Sequence, residues 1–149
     1  MGNTHHRFLI PPLALKPDHA LDDVTVTTAA DQVMLLQAIL DGQTSEEAAS
    51  KLHCSVEHCR FALRTLRGQV LRYGIHSRLP FDTQIASKSG RGRRGRMDTG
   101  IVYRDGSPRF IIAVYTDEVP VMLPDNTPGY TMSLESIGRI AQACWLALA

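Results

Sequence analysis

Phe110-Ile-Ile-Ala-Val-Tyr115 is a run of six apolar or aromatic residues without alternation. A strand with one face in water alternates, so an unbroken run of this length belongs to a strand covered on both faces and paired on both sides. Asp105-Gly106 precedes it. A two-residue type I′ hairpin needs φ > 0 at both central positions, and Asp-Gly meets that need at little cost. Ile101–Tyr103, on the far side of the turn, is then the predicted partner strand. These residues demand a sheet interior, and the helices that cover it must come from elsewhere in the chain.

The first half supplies those helices. Thr28-Ala-Ala-Asp31 is a capping box, in which the hydroxyl and the carboxylate satisfy orphan N–H groups at a helix start. Val33, Leu36 and Leu40 follow at i, i+3 and i+7, widened by Met34 and Ile39, and Gly42 is expected to close the helix as its C′ residue. Thr44-Ser-Glu-Glu47 predicts a second capping box opening a short helix to Leu52. Ser55 predicts the cap of a third helix with Val56, Cys59, Leu63, Leu66 and Val70 on its apolar stripe. Gly74 and Pro80 break that pattern. Ser133 predicts the cap of a last helix carrying Leu134, Ile137, Ala141, Cys144, Trp145 and Leu148. Residues 1–23 show no periodicity, and Pro11, Pro12 and Pro17 make 1–26 an irregular, extended segment before the domain at 27–149.

Between these helices the period changes. Thr83–Ser87 predicts a short strand, Lys88-Ser89-Gly90 its end, and Ser89–Gly95 a Gly/Arg-rich turn. A lysine, a hydroxyl and a glycine at a strand end suit an anionic ligand. The ammonium orients it, the hydroxyl bonds it and the glycine lets the backbone come close. The same three residues also fit a strand that ends in a glycine turn with a solvated lysine.

Charge is unevenly spread. Residues 1–59 carry 3 basic and 8 acidic side chains, 60–104 carry 11 and 2, and 105–149 carry 2 and 5. A basic middle between acidic ends serves either an anionic partner or attraction between parts of one fold. No apolar run is long enough to cross a bilayer. Met1–Arg7, followed by three apolar residues before Pro11-Pro12, is not a signal peptide, so any leader would lie upstream of Met1. Three cysteines, Cys54, Cys59 and Cys144, give no disulfide framework. His53, Cys54, His58 and Cys59 cluster in sequence, but they lack a second ligand pair, and no metal is expected.

Several segments, in this order, resemble the C-terminal portion of the β-lactamase and penicillin-binding-protein-like serine hydrolases. Val26-Thr-Thr-Ala-Ala-Asp31 with Leu35-Leu36 and Asp41-Gly42 is similar to the helix after the omega loop. Ile85–Gly90 resembles the strand with the Lys-[Ser/Thr]-Gly motif. Met97–Tyr103 and Ile111–Thr116 resemble the next two strands, and Ser133–Leu148 the closing helix. The implied fold is α+β, an antiparallel sheet with three C-terminal strands visible, packed with helices. The implied chemistry is acyl transfer at a small-molecule or peptide-like amide through a serine ester, with no cofactor. The resemblance places Lys88 beside the substrate carboxylate and the nucleophile's hydroxyl network, Ser89 on the carboxylate, Gly90 as the motif glycine, and the Arg91 backbone N–H in the oxyanion hole.

The chain contains neither a Ser-x-x-Lys nucleophile motif nor a Ser-Asp-Asn-type loop. Residues 8–22, where the omega-loop Glu is expected, hold Asp18 and Asp22 but no Glu. The expectation is a C-terminal part, inactive alone, whose strand Phe110–Tyr115 has lost a partner and offers an edge for self-association. The competing reading is a helix-turn-helix over residues 44–66, with Arg60, Arg64 and Arg67 on its second helix and His53 in place of the usual turn glycine. The Arg91–Arg96 loop has charge for phosphates but no interleaved aromatic, so nucleic acid is the weaker expectation.

Overall fold

The computed structural model describes residues 27–92 and 95–148. The omega-loop-like segment expected within 1–26, with Asp18 and Asp22, lies outside the described residues, as do Arg93 and Arg94.

Among the described residues three helices come first: α1 (Ala29–Gly42), α2 (Glu46–Lys51) and α3 (Val56–Arg67). A 3₁₀ helix follows at Gly74–Arg78. Strands β1 (Ile85–Arg91), β2 (Arg96–Arg104) and β3 (Ser107–Tyr115) precede α4 (Gly129–Leu148). The strands form one antiparallel sheet in the order β1-β2-β3. The expected α+β class is therefore present.

Helices cover both faces of the sheet, as the unbroken apolar run requires. On one face Ile85, Val102 and Ile112 pack with Ile75 and Leu79 and with Ile137 and Ala141 of α4. On the other, Ala86, Ile101 and Tyr103 pack with Leu36 of α1 and Leu63 of α3. Central β2 is buried from Asp98 to Tyr103, whereas β3 is only partly buried over most of its apolar run. Among the described residues β3 pairs on one side alone.

The local signals hold with specific corrections. Thr28 and Asp31 form the capping box at α1, and Ser55 caps α3 through the His58 N–H at 3.3 Å. Asp105 and Gly106 both have positive φ, 52° and 76°. Gly42, however, is the last helical residue and is buried, and its C-cap is Gln43. A Cβ on Gly42 would stand 2.6 Å from Cys59 Sγ, so close packing, not a left-handed turn, demands the glycine. Ser45, not Thr44, caps α2, through the Ala48 N–H. The α3 stripe stops at Leu66 because the helix ends at Arg67, leaving Val70 85% exposed. Ser133 lies inside α4, where its buried hydroxyl donates to the Gly129 carbonyl, so it caps nothing.

Lys88-Ser89-Gly90 differs most from expectation. These residues do not end the strand; β1 runs on to Arg91, pairing Lys88 with Thr99, Ser89 with Asp98 and Gly90 with Met97. β2 starts at Arg96, earlier than the apolar pattern indicates, and its polar residues Asp98 and Thr99 are what extend the ladder.

Candidate functional site

The ladder fixes which main-chain groups of β1 are free. In an antiparallel pair, residues of hydrogen-bonded pairs turn both N–H and C=O toward the partner, and the alternate residues turn both away. Tyr103 N–H donates to the Gln84 carbonyl, and Gly92 N–H to the Gly95 carbonyl. With the observed register, Ala86, Lys88 and Gly90 face β2. Ser87, Ser89 and Arg91 present their N–H and C=O groups on the outer edge of β1, which has no partner among the described residues.

Side chains alternate in the other direction, across the two faces. Lys88 is exposed, and its Nζ donates to the Ser89 carbonyl. Ser89 is half-buried, its Oγ 3.4 Å from the Tyr73 hydroxyl. Ser87 is buried, its Oγ 3.1 Å from His76 Nε2. Gly90 is exposed, and a Cβ there would meet only Met97, its Sδ at 3.5 Å, which is ordinary contact. Packing therefore does not require glycine at this position. Arg91 is exposed. Arg96, from the same basic stretch, turns back onto the hairpin and donates to the Gly92 and Gly95 carbonyls.

Behind the motif sits a carboxylate that sequence reasoning missed. Asp98 is 2% exposed. Its Oδ2 accepts the Ile75 N–H at 2.9 Å, while Oδ1 has no hydrogen-bond partner among the described residues. Burial is the main cause that pushes its pKa up to about 6, against the pull of the Ile75 and Thr99 N–H groups and the Lys88 charge. His76 moves downward because burial, and then the Arg72 charge, disfavour the imidazolium. Its Nδ1 is also buried with no hydrogen-bond partner among the described residues. Tyr73, His76 and Asp98 thus meet the motif strand from 9 to 16 residues away along the chain. The available signals were Gly74 beside Tyr73 and a lone acid inside β2.

These two groups act in opposite directions with pH. Asp98, raised in the folded state, stabilises the fold fully below about pH 4, and that contribution is lost as pH rises through about 6. His76, depressed, contributes above about pH 6.5 and its contribution is lost as pH falls. Asp98→Asn keeps an acceptor for the Ile75 N–H and removes the ionisation. Relative to the parent chain it should gain about 3 kcal/mol in stability between pH 4 and pH 7, read from urea midpoints at each pH. Parallel profiles for the two proteins would show that Asp98 titrates normally.

Among the described residues no three His, Cys, Asp or Glu side chains group as metal ligands, and no helix is long and apolar enough to cross a membrane. α3 lays its apolar stripe into the domain, through Cys59 onto α1 and α2 and through Leu63 onto the sheet, and Arg60 bonds Glu57 and the Gln43 carbonyl. His53 takes φ 54° in the α2–α3 turn, but nothing further supports a DNA-reading role.

A model of the beta-lactamase enzyme family matches residues 2–148. No curated protein matches the chain. Among solved structures, the TLA-1 extended-spectrum β-lactamase superposes with a TM-score of 0.62 at 19% identity, over 86% of this chain and 44% of that one. PBP-A superposes with a TM-score of 0.59 at 16% identity, over 85% and 46%. At these identities the likeness shows the fold. The chain spans less than half the length of the solved structures it matches.

Proposed function

The chain belongs to the beta-lactamase enzyme family, and on that premise we propose that it forms the substrate-carboxylate and oxyanion wall of a serine acyl-transfer site acting on β-lactams or related amides. The observation that carries this reading is the parity of β1: the Ser89 and Arg91 main-chain groups point off the open edge beside an exposed Lys88. Lys88 attracts the substrate carboxylate and Ser89 Oγ bonds it. The Arg91 N–H donates to the carbonyl oxygen as it gains charge, and such a donor contributes about 100-fold or more when a second donor completes the hole. Gly90 lets the substrate lie along the strand. The attacking serine, its lysine and the second oxyanion donor come from residues outside this chain.

Alone, the chain therefore binds small carboxylates weakly and turns nothing over. In an amide-resolved NMR titration with acetate, the Ser89 and Arg91 amides should shift first. Largest shifts over Arg60–Arg67 instead would move the anion site to α3 and reject the assignment. Purified chain should leave a chromogenic cephalosporin intact. Turnover that survives repurification and disappears in Lys88→Ala would show that the chain holds its own nucleophile.

A further inference from the structure

We propose that Cys54 and Cys59 form a reversible dithiol–disulfide pair at the α2–α3 corner. The proposal is independent of the acyl-transfer reading, because that reading uses neither thiol.

The two sulfurs lie 3.5 Å apart in the reduced protein. A disulfide needs about 2.05 Å, so roughly 1.5 Å of approach separates the two states. The corner holds the thiols in place. Leu52, His53 and Cys54 donate their N–H groups to carbonyls of α2, with Cys54 reaching Ala49 at 3.2 Å. Ser55 and His58 then cap α3 reciprocally, which fixes the turn on which Cys59 stands. His58 Nδ1 is taken up in that cap, 3.1 Å from Ser55 Oγ.

The thiols have different roles. Cys54 is half-buried and reaches solvent, whereas Cys59 is 2% exposed and packs with Ala49 and Val56. Burial holds the Cys59 thiol above its usual pKa, so it stays protonated. Cys54 is thus the site of first attack and Cys59 the resolving thiol. With hydrogen peroxide as oxidant, the Cys54 thiolate attacks one peroxide oxygen. The O–O bond breaks, Cys54 becomes a sulfenic acid, and hydroxide leaves to become water. Cys59 sulfur then attacks the sulfenic sulfur, its proton leaves with the departing hydroxide as a second water, and the S–S bond forms. Two thiols are oxidised and one peroxide is reduced. Cys144, carried by α4 on the opposite face of the sheet, takes no part.

Trypsin releases both thiols in one peptide, Leu52–Arg60, which makes the test direct. Reduced chain is treated with hydrogen peroxide, alkylated under denaturing conditions, digested and weighed. The expected result is a dominant Leu52–Arg60 peptide two hydrogens lighter than its dithiol form and unalkylated. The peptide holding Cys144 should be alkylated, and a thiol reductant should restore both alkylation sites. Cys54→Ser, a substitution at a half-buried position, should abolish the two-hydrogen loss and leave Cys59 fully alkylated. The proposal fails if the parent peptide keeps both thiols while Cys144 oxidises. It fails equally if Cys54 stops at sulfinic or sulfonic acid with Cys59 free, or if either thiol is found joined to Cys144.

Discussion

Gly74→Ala should lower the unfolding free energy of the chain by about 3 kcal/mol or more. Gly74 has φ 61°, and a Cβ there would stand 2.5 Å from Asp98 Oδ2. The left-handed conformation alone costs a residue with a Cβ about 1–2 kcal/mol. The larger part comes from the carboxylate. Asp98 cannot retreat without releasing the Ile75 N–H, and a buried polar group left unpaired costs about 1–3 kcal/mol. Gly106→Ala provides the comparison, since φ there is 76° and a Cβ would meet nothing within 4 Å. That variant should lose only the conformational part, about 1 kcal/mol. Urea unfolding of the two variants at pH 7 separates the contributions. Equal losses would mean that Asp98 moves aside freely and does not anchor the 3₁₀ helix to β2.

Hydrogen exchange along β3 should alternate. Thr116 N–H donates to the Arg96 carbonyl, and the register then directs Phe110, Ile112 and Val114 toward β2. Ile111, Ala113 and Tyr115 turn their N–H groups to the outer edge, which has no partner among the described residues. In dilute chain the first set should exchange about a thousandfold more slowly than the second. An apolar edge of this length is a template for another strand. We expect protection of Ile111, Ala113 and Tyr115 to appear as concentration rises, together with a dimer in sedimentation. A monomer in which all six amides are protected at every concentration would mean that the edge is already paired, and self-association through β3 would be rejected.

Much of this fold is written locally. Thr28 with Asp31 and Ser55 with His58 start their helices because a cap needs only groups three residues apart. Asp105-Gly106 turns its hairpin because two residues can take positive φ. The apolar run Phe110–Tyr115 required cover on both faces, and α1 on one side with α4 on the other supplies it. The resemblance carried by the order of motifs identified the family. Gly42 and Ser133 were misread because their roles are set by Cys59 and by the Gly129 carbonyl, and sequence spacing does not register that packing.

The site divides along the same line. Lys88, Ser89, Gly90 and Arg91 were visible as residue types, since a motif is a local string. Which of them turn main-chain groups outward was decided by pairing with β2, because parity along a strand exists only relative to a partner. Asp98, His76 and Tyr73 reach the motif through contacts 9 to 16 residues long in sequence. Burial at those contacts, and not residue identity, moves the Asp98 and His76 protons. The amino-acid string therefore determined the caps, the hairpin turn and the motif. Tertiary packing alone decided which main-chain groups of β1 and β3 turn outward and which buried groups stand behind them, because register and desolvation arise only when distant segments meet.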